Sequence, residues 1–343
     1  METRQNLLIR ADAGPRMCTG HVMRCLALAQ SWQDAGGRPV FFARELPDKI
    51  AARLQADGVE TIAFPTGDAT PDAAQTAQAA RDLQAGWAVV DGYAFGAEYQ
   101  DALKKAGVRV LFLDDYGHGQ RYSSDIVLNE NPGCNPRLYG ERAPGTQLLL
   151  GPEYALIRRE FMTYKRSPSG SPKGESNVLV TLGGSDPENV TSRIISALAA
   201  VSGIRTRVLI GPANPRREQI AAQLGQAMEM VDPGQEIPEV MRWADLAISA
   251  AGVTALELCY LGVPALLIIL VEHQRGMAEG LDRCRAAVNL GWHNDLGTEQ
   301  IASRARALLA SPEDRAGLSE QAKKLVDGRG ATRVVEAMLR AAG

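Results

Sequence analysis

The fold is decided by the pattern of the segment Leu7–Ala35, LLIRADAGPRMCTGHVMRCLALAQSWQDA. Its first residues, Leu7–Arg10, form a short apolar run that predicts a buried strand. A loop containing glycines follows, and His21–Ala35 then repeats apolar side chains at helical spacing. A strand followed by a helix, repeated along a chain, predicts a parallel sheet covered by helices on both faces.

The same alternation continues through the first half of the chain. Short apolar runs bounded by Gly, Pro and Asp predict further strands at Pro39–Ala43, Trp87–Val90 and Val108–Leu113. Apolar residues at helical spacing predict the intervening helices at Pro47–Ala56, Asp72–Ala85 and Ala97–Ala106. The first half therefore predicts one α/β domain.

The pattern is interrupted between Arg158 and Ser176, where YKRSPSGSPKGES (164–176) is polar and rich in Pro, Gly and Ser. Such a stretch is typical of a linker. Beyond it the alternation resumes, with strands predicted at Asn177–Leu182, Arg207–Ile210, Asp245–Ser249 and Pro264–Leu270, a helix at Pro187–Val201, and two or three helices within 298–342. The sequence thus predicts two doubly wound Rossmann-like α/β domains facing a cleft, with ligands beyond the carboxyl ends of the strands.

Composition excludes several classes of function. The 343 residues carry 37 Lys+Arg against 40 Asp+Glu, a net charge of −3, which does not predict a nucleic-acid partner. No apolar run reaches the roughly 18 residues of a membrane span, and no signal peptide is recognisable. The five cysteines are scattered and form no C-x-x-C pair, so we expect no structural zinc, no disulfides and a cytoplasmic location.

His21 is the candidate catalytic residue, because it follows a strand and a loop with Gly14 and Gly20 and opens the first long helix. A helix N-terminus disfavours an added positive charge, so we expect a neutral imidazole that can act as a general base. The alternative is a histidine that only caps the helix or packs against it.

A second candidate site is Ser249–Glu257, SAAGVTALE, which runs from a predicted strand into a helix. Small residues around Gly252 allow a diphosphate to approach the backbone closely. Thr254 can donate a hydroxyl hydrogen bond, and Glu257, three residues later on the same face, can accept both ribose hydroxyls. The alternative is a capped helix with a solvated glutamate.

The loop Thr181–Asp186, TLGGSD, also follows a predicted strand. Gly183 and Gly184 predict a tight turn. Ser185 and Asp186 can contact a leaving phosphate, or they can cap the following helix. Both interpretations stay open.

Polar residues also follow the strands of the first half, where they can meet a substrate or cap loops: Asp12, Asp91, Tyr93, Asp114 and Asp115. Their spacing is not diagnostic of a metal. Glu272-His273-Gln274 follows a predicted strand of the second half and can hydrogen-bond a sugar or form a polar turn. We expect His118 and His293 to have surface polar roles.

Several of these motifs together resemble a known family. Arg10–Ala29 (RADAG…GHVMRCLALA), Val90–Tyr93 (VDGY) and Leu150–Phe161 (LGPEYALIRREF) are similar to the signatures of the UDP-2,4-diacetamido-2,4,6-trideoxy-β-L-altropyranose hydrolases of pseudaminic acid biosynthesis. Gly183–Asp186 and Ile248–Pro264 resemble the wider glycosyltransferase-B superfamily. One departure is Glu272-His273-Gln274, where the family usually has Glu-Asn-Gln.

The resemblance implies a glycosyltransferase-B fold with a sugar-binding and catalytic domain at 1–160, a linker at 161–176 and a UDP-binding domain at 177–343, whose last helix can pack back on the first domain. It implies that His21 activates water to attack C1 of the sugar with inversion, so that UDP leaves by C–O cleavage. Because backbone dipoles can stabilise the leaving diphosphate, we expect no metal or cofactor, and we expect a monomer. The implied substrate-binding residues are Asp12, Gly20, Arg24, Tyr93, Gly183, Gly184, Ser185, Asp186, Ser249, Gly252, Thr254, Glu257 and Gln274.

Two rival functions remain. A glycosyltransferase of the same fold would move the sugar from UDP to an acceptor instead of water. A non-catalytic nucleotide-sugar-binding protein would retain the Glu257 constellation and lose the base, so the presence of His21 argues against it.

Overall fold

The computed structural model describes residues 5–14, 19–65, 70–164, 174–184, 186–211, 214–232 and 236–342. The chain divides into two compact units. Unit 1 comprises Met1–Arg159 and Gly328–Gly343, and unit 2 comprises Glu160–Asp327. The central part of the linker predicted at 161–176, residues 165–173, lies outside the described residues.

Unit 1 contains a seven-stranded sheet in which every described strand pair is parallel. Its strands are β1 (Asn6–Ala11), β2 (Arg38–Ala43), β3 (Glu60–Ala63), β4 (Ala85–Asp91), β5 (Arg109–Leu113), β6 (Ile126–Asn129) and β7 (Gln147–Leu150). Their order across the sheet is β3-β2-β1-β4-β5-β6-β7, so β1 and β4 lie at its centre. The order reverses between these two strands, which is where ligands bind in open α/β sheets.

Unit 2 contains a six-stranded parallel sheet of order β10-β9-β8-β11-β12-β13. Its strands are β8 (Ser176–Thr181), β9 (Ile204–Leu209), β10 (Met228–Val231), β11 (Leu246–Ala250), β12 (Ala265–Ile269) and β13 (Val288–Trp292). The central pair, β8 and β11, again marks the reversal of strand order, and both strands are buried on both faces.

Helices connect the strands of both sheets. They are α1 (Gly20–Asp34), α2 (Asp48–Ala56), α3 (Asp72–Asp82), α4 (Ala97–Lys105), α5 (Arg159–Met162), α6 (Val190–Leu198), α7 (Arg217–Ala221), α8 (Ile237–Arg242), α9 (Val253–Leu261), α10 (Arg275–Arg283), α11 (Thr298–Ala310), α12 (Pro312–Leu325) and α13 (Gly330–Ala342).

The alternation of side chains along β1 shows how the sheet of unit 1 is covered. Ile9 belongs to a core shared with α1, whereas its neighbour Leu8 belongs to a separate core with Tyr99 and Leu103 of α4. Because successive side chains of a strand point to opposite faces, both faces need helices, and both have them.

Although it comes last in the chain, α13 belongs to unit 1. Val334 and Met338 are fully buried in the core that contains Leu26 of α1. At its first residue, Gly330, an added Cβ would lie 2.2 Å from the carbonyl oxygen of Ala155, so only glycine permits this approach. The last helix is therefore an integral part of the unit 1 core.

The prediction of two parallel-sheet, Rossmann-like α/β domains is confirmed. Five strands escaped prediction: β3, β6, β7, β10 and β13. Four of them are only four residues long, which is too short for periodicity to identify them against surrounding loops. The fifth, β13, contains Asn289 and Gly291, residues that are uncommon in strands.

Candidate functional site

The candidate base lies at the centre of the sheet of unit 1. His21 is the second residue of α1, and Asp91 is the last residue of the central strand β4. The imidazole Nδ1 and the Asp91 Oδ1 are 2.6 Å apart. His21 is 7% exposed and Asp91 is fully buried, so this pair is largely shielded from water.

Arg24 lies one helical turn after His21 and fixes the carboxylate of Asp91. Its Nε and Nη2 each donate to Asp91 at 2.7 Å, in a bidentate pair. Its Nη1 donates to Asp115 Oδ1 at 2.6 Å and lies 3.5 Å from Glu130 Oε1. Arg24 is 4% exposed, so its guanidinium is buried among three carboxyl groups.

Those three carboxyl groups come from the ends of three neighbouring strands, β4, β5 and β6. Burial by itself raises the pKa of Asp91 and Asp115, but the Arg24 guanidinium outweighs it and holds both pKa values below their usual range. Burial dominates at Glu130 and raises its pKa to about 7. Two carboxylates therefore face one guanidinium, while Glu130 can hold a proton near neutral pH.

The charge of Asp91 determines the tautomer of His21. An ionised carboxylate only accepts hydrogen bonds, so the proton of the 2.6 Å contact belongs to Nδ1 of the imidazole. The lone pair of the neutral ring then lies on Nε2. Within the described part of the chain, no residue is hydrogen-bonded to Nε2, which leaves that atom able to accept a proton.

Tyr93 completes the surroundings of His21. Its ring lies edge-on to the imidazole, with 4.8 Å between the ring centroids. Its hydroxyl donates to Asp115 Oδ2 at 2.6 Å, and burial together with that carboxylate raises the pKa of the phenol. Of the residues predicted to bind substrate in this half of the chain, the structure thus brings Arg24 and Tyr93 together with His21.

Asp12 belongs to a second network. Its Oδ1 accepts from Arg10 Nη1 at 2.6 Å and from the backbone amides of Arg44 and Glu45 at 2.7 and 3.2 Å. Arg10, 1% exposed, also binds both carboxylate oxygens of Asp72. This network ties the end of β1 to the ends of β2 and α3, and the predicted sugar-binding Asp12 is one of its members.

Asp114 stabilises a turn after β5. Its Oδ1 accepts from the amides of Tyr116 and Gly117 at 2.9 and 2.8 Å, and the Tyr122 hydroxyl donates to Oδ2. His118 lies 3.2 Å from the same carboxylate, with its side chain 10% exposed. The interpretation of strand-end acids as loop caps therefore applies to Asp114, and the expected surface position of His118 is wrong.

In unit 2, the ends of the central strands are lined by backbone rather than by charged side chains. Gly183, after β8, has φ +82°, and an added Cβ on Gly211, after β9, would lie 2.4 Å from the Gly183 carbonyl oxygen. Gly184 is buried directly beside it. These glycines allow two loops to pack backbone against backbone.

Asp186 acts as a helix cap. Its two carboxylate oxygens each accept at 2.9 Å, from the amides of Val190 and Thr191 in the first turn of α6. Of the two interpretations left open for this loop, the structure shows capping for Asp186. Ser185 lies outside the described residues.

The start of α9 has no capping side chain of its own. Its N-cap is Gly252, which carries no side-chain oxygen that could accept from the amides of the first turn. An added Cβ on Gly252 would lie 3.8 Å from the Gln274 Nε2, so the structure brings these two predicted residues together. Gln274 Oε1 accepts from the Leu270 amide at 3.0 Å, which fixes the side chain.

The remaining predicted residues of α9 differ in burial. Thr254 is partly exposed in the first turn, and Glu257 is 4% exposed one turn later, so the solvated glutamate of the alternative interpretation is wrong. Ser249 is fully buried in β11, and its hydroxyl donates to the Ala250 carbonyl. His293, expected at the surface, is 5% exposed directly after β13.

Glu130 was not predicted as a site residue, because the strand before it was not predicted. Ile126–Asn129 has the β-branched, apolar composition of a strand and is followed by an acid, so a signal was present. The pairing of His21 with Asp91 was not predicted either, since residues 70 positions apart show no pairing along the sequence.

Two properties hold across the described part of the chain. Across the described ranges, no group of three or more His, Cys, Asp or Glu is arranged to hold a metal ion. No helix in the same ranges is both long and apolar enough to cross a bilayer.

Comparison with known proteins assigns the class of fold. Residues 178–333 match the family profile of the glycosyltransferase family 28 C-terminal domain. Over 98% of its length, the chain superposes on all of Acinetobacter baumannii MurG with a TM-score of 0.65 at 16% identity. It also superposes on all of Anabaena Alr3699/HepE, crystallised with UDP-glucose, with a TM-score of 0.69 at 14% identity. The fold is thus that of glycosyltransferase-B proteins.

The relatives found by sequence are matched over only part of their own length. The spore coat polysaccharide biosynthesis protein SpsG of Bacillus subtilis is 28% identical over 66% of this chain and 67% of its own length. The UDP-N-acetylglucosamine–N-acetylmuramyl-(pentapeptide) pyrophosphoryl-undecaprenol N-acetylglucosamine transferase of Synechococcus sp. (strain CC9605) is 29% identical over 59% of this chain and 62% of its own. The uncharacterized protein MJ1062 of Methanocaldococcus jannaschii is 22% identical, and the chain covers 56% of it.

Proposed function

We propose that this chain is a UDP-sugar-dependent glycosyltransferase in which His21 activates the attacking hydroxyl group of an acceptor. The observation that carries the proposal is the 2.6 Å contact between His21 Nδ1 and the ionised Asp91. A histidine oriented through Nδ1 by a buried carboxylate, with Nε2 able to accept a proton, is the arrangement of a general base.

In the proposed step, the acceptor oxygen attacks the anomeric carbon as its proton passes to His21 Nε2. The bond between C1 and the diphosphate oxygen breaks, and its electron pair leaves with UDP. The imidazolium that forms is stabilised by its hydrogen bond to Asp91. With Glu130 protonated, the buried cluster of Arg24, Asp91 and Asp115 carries one net negative charge, which a proton on His21 neutralises.

This proposal gives Arg24 a positioning role instead of the direct substrate contact predicted from the sequence. Its guanidinium is buried and donates to Asp91 and Asp115, so it holds the carboxylate that orients the base. Tyr93 lies against the imidazole and remains a candidate for contact with the sugar.

The nucleotide is proposed to bind unit 2. The first turn of α9 follows a glycine N-cap, and the Gln274 amide lies beside it, so the site offers hydrogen-bond donors and a positive helix end for a diphosphate. Glu257, one turn along α9, is proposed to accept the ribose hydroxyls. The match of residues 178–333 to a glycosyltransferase C-terminal domain supports this assignment.

Hydrolysis of the UDP-sugar is the second candidate. It is favoured by the N-terminal motif Arg10–Ala29, which resembles the UDP-2,4-diacetamido-2,4,6-trideoxy-β-L-altropyranose hydrolases. The base and the bond broken would be the same, with water in place of the acceptor hydroxyl. The transferase is preferred because of what the names of two relatives say. SpsG is named for polysaccharide biosynthesis, and the N-acetylglucosamine transferase is named for transfer from a UDP-sugar.

One experiment tests both candidates. The pure protein is incubated in H₂¹⁸O with a panel of UDP-sugars, with and without a panel of free sugars and alcohols as acceptors. Transfer predicts that UDP is released only when an acceptor is present, and that the glycoside formed carries no ¹⁸O. Hydrolysis predicts release without an acceptor and ¹⁸O on the free sugar. Label in UDP would mean cleavage at phosphorus and would reject both, as would failure of every UDP-sugar to bind.

A further inference from the structure

A row of aromatic rings extends from the candidate base to the surface of unit 1. The Tyr93 ring lies 4.8 Å from His21, 5.6 Å from Tyr116 and 5.9 Å from His118, measured between ring centroids. Tyr116 and His118 are themselves 5.4 Å apart. These rings therefore form one continuous aromatic surface that begins at the imidazole.

Tyr116 is the exposed end of that surface. At 41% exposed, it is the only aromatic residue among the large hydrophobic side chains that the described residues leave open to solvent. Its neighbours Tyr93 and His118 are partly buried. Tyr116 therefore presents an aromatic ring to solvent at the end of a row of rings that begins at the candidate base.

The turn that carries Tyr116 is rigid. Asp114 accepts the amides of Tyr116 and Gly117, and the Tyr122 hydroxyl holds the other oxygen of that carboxylate at 2.5 Å. Gly117 has φ +76°, which a residue with a Cβ would adopt only under strain. The backbone that carries Tyr116 is thus fixed before any ligand arrives, so little backbone entropy is lost on binding.

The chemistry of the surface fits a pyranose ring. A sugar presents a face of C–H groups and an edge of hydroxyls, and a tyrosine combines an apolar ring with a polar tip. We propose that Tyr116, together with Tyr93 and His118, binds the apolar face of the sugar of the UDP-sugar and contributes to the choice of sugar. This inference rests on the proposed function, because the occupant is the sugar on which His21 acts.

The test compares UDP with UDP-sugars, using calorimetric titration with UDP, UDP-glucose and UDP-N-acetylglucosamine. Tyr116→Ala should weaken the better-bound UDP-sugar by about three- to tenfold and leave UDP unchanged, the range expected for one aromatic contact. Tyr116→Phe should retain wild-type affinity, since the ring is kept. Leu339→Ala, which removes a side chain of similar exposure (39%) on α13, should alter neither ligand.

The inference is overturned if Tyr116→Ala leaves UDP-sugar affinity unchanged or weakens UDP equally. It is overturned together with the proposed function if the wild-type protein binds neither UDP nor either UDP-sugar. These two failures are distinguishable, because in the first case the wild-type protein still binds UDP.

Discussion

The carboxyl edges of the two sheets carry different kinds of residues. In unit 1, the ends of β4, β5 and β6 carry acids that converge on one buried arginine, Arg24. In unit 2, the ends of β8 and β9 carry glycines whose backbones pack together, and α9 begins with another glycine, Gly252. The first edge suits proton transfer, and the second suits close approach of an anionic ligand to the backbone.

The contrast also explains what each edge costs the fold. Buried charges such as Arg24 and Asp91 lose hydration and are tolerated only when each is paired and hydrogen-bonded. Glycines lose more backbone entropy on folding and gain no side-chain packing. Neither feature adds apolar packing to the cores, so we infer that each edge serves binding or chemistry. Each prediction below tests one side of this comparison.

The largest effect is expected at the base. His21→Gln should reduce turnover by about 10²–10⁴-fold, the usual contribution of a general base, because glutamine cannot take up the proton. UDP affinity should be unchanged, since no role in nucleotide binding is proposed for unit 1. Steady-state rates and calorimetry with UDP measure the two quantities. Glu98→Gln, at an exposed acid of the same unit, serves as the control. An equal loss in both quantities would contradict the proposed division of roles.

The next effect concerns stability and pH. The folded-state pKa of Glu130 is about 7, raised by burial above the ordinary 4.5. Between these values the folded protein holds a proton that the unfolded chain releases, so the free energy of unfolding falls as pH rises from 4.5 to 7. The loss totals about 3 kcal/mol, at about 1.4 kcal/mol per pH unit.

Glu130→Gln removes that titration. Relative to wild type, the variant should therefore gain about 3 kcal/mol of stability between pH 5 and pH 8, measured by urea denaturation at each pH. Glu98→Gln, at an exposed site in α4, should show no such gain. A difference between Glu130→Gln and wild type that is the same at both pH values would show that Glu130 titrates normally.

For unit 2, the first prediction concerns the ribose. Glu257→Gln should weaken UDP binding by about ten- to a hundredfold, because a hydrogen bond to a charged group contributes about 1.5–3 kcal/mol. The shape of the side chain is kept, so its 4% exposed position in α9 should be maintained. Calorimetric titration with UDP measures the effect. Unchanged affinity in a folded variant would remove Glu257 from the site.

The smallest predicted effect is at the backbone. Gly252→Ala should weaken UDP binding by about tenfold, since the methyl group stands where the diphosphate approaches, and each tenfold is about 1.4 kcal/mol. The protein should stay folded, because the added Cβ meets only ordinary contacts. Gly96→Ala is a matched control, since Gly96 is the N-cap of α4 with nearly the same backbone angles (φ −108°, ψ −163° against φ −111°, ψ −158°). Equal affinities for the two variants would contradict the diphosphate site.

Much of the fold could be predicted from the sequence, because strands such as β1 and β11 are apolar runs bounded by loop residues and followed by helices with clear periodicity. Short strands such as β6 could not, and the acids that follow them were lost with them. Individual residues like His21 were identified from their position at a strand-to-helix junction. Their partners depend on strand order, which brings β4 next to β1, and no local pattern along the chain encodes it.

The same limit explains Arg24 and Asp186. Both were identified as candidate ligand contacts, and both have side chains engaged within the protein, by Asp91 and by the amides of α6. Whether a side chain contacts the ligand or holds another protein group in place depends on its burial and its hydrogen-bond partners. These are properties of the packed chain. The sequence therefore indicates which residues belong near the site more reliably than what each one does there.

The central claim is that Asp91 holds His21 with its proton on Nδ1 and its lone pair on Nε2. With ¹⁵N-labelled histidine and only four histidines in the chain, NMR can assign each ring and read its tautomer directly. The account predicts, at a pH where the ring is neutral, a protonated Nδ1 and an unprotonated Nε2 for His21, a state that Asp91→Asn disturbs. A neutral His21 with its proton on Nε2 in the wild-type protein would contradict the assignment of this residue as the base.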